Sequence, residues 1–102
     1  METVSSEGGV EITLDGTLKA LANPIRRQVV MTLLQTPGER VASCAAFNVT
    51  VSRSTLTQHM RVLHESGLVE TIDHGNRVVV GLRSSEIDRR LPGLLDVLRH
   101  AT

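Results

Sequence analysis

Apolar residues recur along the chain with a helical period that is interrupted once by a strand-like stretch. Leu14, Leu18 and Leu21 stand at i, i+4 and i+7 and predict a first helix ending near Asn23. Pro24 supports a boundary there, because the residue before a proline avoids helical geometry while proline itself suits a first turn. A second helix is expected from about Pro24 to Gln35, burying Ile25, Val29 and Leu33 with Val30 and Leu34 beside them, and Thr36-Pro37-Gly38 ends it. Val41 to Phe47 (VASCAAF) is short, small and apolar, and predicts a compact third helix. Asn48 to Val51 then forms a turn. Beyond it Leu56, Met60 and Leu63, with Val62 alongside, form the apolar face of a helix starting near Ser52. Its opposite stripe, Arg53, Ser54, Thr57, Gln58 and Arg61, carries only side chains that hydrogen-bond or pair with phosphate. Ser52 or Thr50 can cap that helix, and Gly67 can supply the left-handed residue that ends it.

Leu68 to Asp73 and Arg77 to Arg83 are rich in β-formers, and His74-Gly75-Asn76 between them is a turn sequence, so they predict a hairpin. Ile87, Leu91, Leu94, Leu95 and Leu98 restore the helical period. Pro92-Gly93 interrupts it, giving either a kink or a one-turn helix followed by a short terminal one. Met1 to Thr13 is small, polar and acidic with Gly8-Gly9, and is expected to be a flexible N-terminal tail. Residues 14–102 then make one domain. The fold class is mainly α with a small β-hairpin, a winged helix–turn–helix.

Composition narrows the chemistry. Apolar residues make up 40% of the 102 residues but aromatics only 1%, so the core must be aliphatic and Phe47 stands alone. Base-stacking platforms for single-stranded nucleic acid have nothing to be built from. One cysteine, Cys44, excludes an internal disulfide framework, suits a reducing cytosol and reads as a small buried residue. With no apolar run of about 18 residues and no leader pattern, a soluble cytoplasmic protein without a membrane partner is expected. Eleven basic and eleven acidic residues balance, yet they are unevenly spread. The first 18 residues hold Glu2, Glu7, Glu11 and Asp15 and no Lys or Arg, whereas Lys19 to Arg61 holds Lys19, Arg26, Arg27, Arg40, Arg53 and Arg61 against Glu39 alone. A neutral chain can still present a phosphate-attracting surface this way.

The run LKALANPIRRQVVMTLL, followed by VSRSTLTQHMRVLHESGLVE and a Gly-containing hairpin, resembles the arsenic-repressor (ArsR/SmtB) family of small dimeric transcriptional repressors. The resemblance covers roughly residues 14–99. It is strongest at Leu18 to Arg27, where members show Leu–Ala–Asp/Asn–Pro–x–Arg, and at Ser52 to Glu70, where they show Ser-x-Ser-x-Leu/Val-Ser/Thr-x-His. It implies a homodimer on double-stranded DNA carrying an inverted-repeat operator. In a helix–turn–helix the second helix enters the major groove. Gln58 can pair with adenine, Arg53 with guanine or phosphate, and Ser52, Ser54, Thr55 and Thr57 can make short contacts. His59 either contacts DNA or packs at the helix edge, and Arg61 grips phosphate. At the hairpin tip His74, Asn76 and Arg77 can reach flanking backbone, Arg77 being the strongest candidate.

Many relatives sense a metal, but their ligand positions are poorly filled here. The Cys-x-Cys…Asp site on the third helix maps to Val41, Ser43 and Cys44. The site on the terminal helix maps to Ser84, Glu86, Val97 and His100, leaving only Glu86 and His100 as candidates, too few for a metal site. No cofactor is implied. Neither G-x-S-x-G nor a Gly-rich phosphate loop nor H-E-x-x-H occurs, so no enzyme is expected. Two alternatives accompany the repressor reading: a winged-helix subunit whose regulatory protein partner does the sensing, and a metal-responsive repressor with a non-standard site.

Overall fold

The computed structural model describes residues 10–36 and 38–101. Met1 to Gly9, and with them most of the expected acidic tail, lie outside the described residues, as does Pro37. Among the described residues six helices and three strands follow in the order α1 (Leu14–Leu21), α2 (Pro24–Gln35), β1 (Arg40–Val41), α3 (Cys44–Phe47), α4 (Arg53–Glu65), β2 (Val69–Asp73), β3 (Val78–Leu82), α5 (Ser84–Arg90) and α6 (Leu94–His100).

Side-chain caps set the helix starts. The hydroxyl of Thr13 accepts from Gly16 N, Asn23 Oδ1 accepts from Ile25 N and Arg26 N ahead of Pro24, and Ser43 Oγ accepts from Ala46 N. Each oxygen satisfies an amide that has no partner inside its own helix. The Asn23 cap explains why α1 stops at Leu21, just short of the expected end. On α1 the buried face is Thr17, Ala20 and Leu21, whereas Leu14 and Leu18 of the leucine stripe are exposed at 56% and 55%. Thr17, Ala20 and Leu21 thus face the rest of the fold, and two of the three leucines of the stripe are left outside.

The third element departs from expectation. Val41 to Phe47 is not one helix: Arg40 and Val41 form β1, and only Cys44 to Phe47 is helical. Ser43 is extended and caps the helix there, so the preceding residues are free to pair with β3 in the register Arg40↔Val80 and Val41↔Val79. The hairpin β2–β3 pairs from Val69↔Leu82 to Asp73↔Val78, making a three-stranded antiparallel sheet in the order β1-β3-β2. A central position for β3 accounts for its valine run, since Val79 and Val80 are both about 2% exposed.

The core lies between the helices and this sheet. Phe47, Leu63, Leu68, Ile87 and Leu95 are all but fully buried, and each such side chain contributes about 1.5–3 kcal/mol relative to exposure. Ile12, which composition places in the tail, is 3% exposed and belongs to this core. Arg83 ties it down, donating from Nη1 to Val10 O at 3.0 Å and to Gly67 O at 2.7 Å. The Pro92-Gly93 interruption separates two helices, Gly93 turning the chain at φ 92°, and α5 is seven residues long rather than a single turn.

Candidate nucleic-acid interface

Helix α4 is anchored by one side and capped at its start. Leu56 and Leu63 are buried, Met60 and Val62 are half-buried, and the helix packs on α2 and β2. Ser52 caps it, its Oγ accepting from Thr55 N at 3.1 Å and donating to Thr55 Oγ1 at 2.8 Å. That engagement leaves Thr55 half-buried and less available than its neighbours. Arg53, Ser54, Thr57, Gln58 and Arg61 are all exposed. From Arg53 to Arg61 the helix carries no carboxylate, and the first acid on it is Glu65 at its last position.

The turn into α4 is made at Asn48, whose left-handed conformation (φ 57°) closes α3 by donating to Ala45 O. At the other end Gly67, at φ 84°, directs the chain into β2. A Cβ there would lie 2.9 Å from Val10 O and 3.0 Å from Ile12 Cγ1, so the position requires glycine on two counts. The hairpin tip is closed by His74 N donating to Arg77 O at 2.9 Å and by Gly75 N donating to Asp73 Oδ1 at 2.8 Å. Asn76 and Arg77 are exposed at this tip, while His74 Nε2 lies 3.5 Å from Glu39 Oε1. A shallow groove lined by Thr57, Met60, Arg61, His64, Glu65 and Thr71 joins the exposed side of α4 to β2, with Glu65 its single carboxylate at the far end of the helix.

Residues 23–71, from the cap of α2 into β2, match the family of bacterial regulatory proteins described as the arsR family. The chain carries an arsR-family helix–turn–helix domain. It is a DNA-binding transcription regulator by that membership. No curated protein gives a significant match to the chain.

From Lys19 through the arsR-family domain to Arg61 the basic residues divide into two groups, a distinction that the charge count cannot make. Arg26 donates from Nε to Ala20 O at 2.8 Å and from Nη2 to Lys19 O at 3.0 Å, and Arg27 Nη1 donates to Leu21 O at 2.9 Å. Both guanidinium groups satisfy carbonyls at the end of α1. Arg40 Nη1 likewise donates to Ala46 O at 3.3 Å. Lys19, Arg53 and Arg61 are exposed and have no carboxylate partner among the described residues.

The structure brings His59 beside Arg26, with Nδ1 3.3 Å from Arg26 Nη1. A guanidinium only donates, so Nδ1 accepts and the ring carries its hydrogen on Nε2. Burial, and then the Arg26 charge, lowers the pKa of His59 below the ordinary histidine value. His59 is therefore half-buried at the helix edge in its neutral form. Through it Arg26 links the end of α1 to α4. Arg26 closes the Leu–Ala–Asn–Pro–x–Arg pattern in the sequence, but nothing in that pattern signals a partner 33 positions away.

The residual metal candidates are otherwise engaged. Arg89 and Arg90 both donate to the carboxylate of Glu86 and hold its pKa below the usual range, and His100 Nδ1 lies 2.9 Å from Asp96 O. Among the described residues no three His, Cys, Asp or Glu converge on a point. No helix among them is long and apolar enough to cross a membrane.

Proposed function

We propose that this regulator is a cytoplasmic homodimeric repressor that occludes promoter DNA. The exposed stripe of α4 reads base edges: Gln58 and Arg53 make the specific contacts, with Ser52, Ser54 and Thr57 beside them. Arg61, Asn76 and Arg77 hold backbone phosphates. Thr55 and His59 support the helix more than they read DNA, since both are half-buried and partnered within the chain. The observation that carries the reading is the exposed Arg53–Arg61 face, bearing cations and hydrogen-bonding side chains and no acid, on a helix whose other side is buried. The dimer is supported by apolar side chains left outside the core: Leu14 and Leu18 on α1, and Val97 on α6 at 63% exposure.

A mobility-shift titration on the DNA upstream of the chain's own gene, run at about 50 and 200 mM salt, tests it. Six or more phosphate contacts across a dimer should weaken binding by about 10³-fold between those salts. A chain that binds only when a second protein is added would instead be an interaction subunit.

A further inference from the structure

A cavity of about 580 Å³ opens between the first half of α4 and the sheet, within the usual range for small-molecule sites. Its apolar wall is made by Val41, Leu56, Met60 and Val80, contributed by β1, α4 and β3, with Arg53 and Thr57 at the polar side. Most of its polar groups are already engaged. Cys44 Sγ donates to Val51 O at 3.3 Å, Ser43 Oγ accepts from Ala46 N at 3.2 Å, and Thr57 Oγ1 donates to Arg53 O at 3.0 Å. No carboxylate lines the cavity, and among the described residues the Arg53 guanidinium has no anionic partner. What the cavity offers a ligand is the exposed Arg53 cation and the Thr71 hydroxyl beside an apolar wall.

We propose that this cavity is an effector site for a small amphipathic carboxylate, whose apolar body lies against Leu56, Met60 and Val80 and whose carboxylate pairs with Arg53. Arg53 and Thr57 belong both to this cavity and to the DNA-reading face. A bound carboxylate neutralises the cation at the start of α4 and occupies the space beside it, so ligand and DNA compete. The competition rests on the proposed DNA-reading role of α4, whereas ligand binding itself does not.

Sodium octanoate and 1-octanol, matched in carbon number and differing in charge, are the probes. With the full chain labelled at its methionine methyl groups, the Met60 resonance should shift saturably on adding octanoate while that of Met31, on α2 and outside the cavity, stays in place. Octanol should bind about tenfold more weakly. Arg53→Gln should reduce octanoate to the level of octanol, and Val41→Trp, which fills the cavity from its half-exposed rim, should abolish the shift with both probes. An unmoved Met60, equal shifts at Met60 and Met31, or equal affinity for octanoate and octanol would overturn the site. Saturating octanoate should also weaken DNA binding by about tenfold; unchanged DNA affinity would overturn the regulatory role. A Met60 response in a chain that binds no DNA would instead refute the repressor reading and leave the ligand site standing.

Discussion

Gln58 and Arg77 separate two kinds of contact that a DNA-binding surface needs. Gln58 is exposed on the stripe between Arg53 and Arg61, and its amide can satisfy a base edge at two points. Gln58→Ala should cost about 1–3 kcal/mol on the specific site and little on random duplex, whereas Arg77→Ala should weaken both and lower the salt slope by about one. Mobility-shift titrations on both duplexes check the pair, and an equal loss on the two sequences for Gln58→Ala would move it to the phosphate contacts. His59 makes a different demand. Its folded pKa lies below 6.5, so the unfolded chain binds the additional proton first as pH falls. Stability attributable to His59 is present above about pH 6.5 and is lost as pH drops toward the folded value. Thermal midpoints measured from about pH 7 to pH 5 should fall less steeply in His59→Gln; an unchanged slope would detach the effect from His59. The polar stripe was legible in sequence because each member needs only to be exposed. The part played by Arg26 was not, because it depends on α1 and α4 meeting in space.

At the scale of elements, periodicity revealed those that bury one face and missed those made by pairing. Helices α2 and α4 follow from their apolar spacing, from Pro24 at the start of the one and from Ser52 as the cap of the other, and the hairpin follows from β-branched runs around a Gly-containing turn. Strand β1 is two residues long and exists only because Val79 and Val80 offer it a partner, so VASCAAF read as a helix throughout. Of the leucine stripe of α1 only Leu21 is buried, while Leu14 and Leu18 face outward, since periodicity identifies an apolar face without saying what covers it. Gly67 carries an element-level requirement that the sequence did indicate. It sits at φ 84° with Val10 O and Ile12 Cγ1 crowding its absent Cβ. Gly67→Ala should destabilise the fold by about 1–3 kcal/mol, from left-handed strain and the displaced N-terminal segment together. Chemical denaturation measures it, and a loss below about 0.5 kcal/mol, near the ordinary cost of a surface substitution, would show that residues 10–12 yield easily.

For the whole molecule, a chain of 102 residues leaves Leu14, Leu18 and Val97 more than half exposed, the most exposed of its large aliphatics among the described residues. A second copy is the simplest cover for them, and two copies carry two α4 helices. Leu18→Glu places a charge on that face and should shift sedimentation toward monomer while leaving the fold intact, since Leu18 is 55% exposed; a dimer of undiminished affinity would put the interface elsewhere. The cavity beside Arg53 could not be assembled from sequence, because it joins segments far apart in the chain, whereas the first helix and the Leu91 to Leu98 segment were legible as dimer elements from their apolar spacing. The central claim, that paired α4 helices read DNA, is tested most directly by selecting binding sites from a random duplex pool with the full chain. The account predicts enrichment of an inverted repeat with half-site centres about 10 base pairs, or a multiple of that turn, apart. Recovery of no enriched sequence, or of a single asymmetric site, would contradict it.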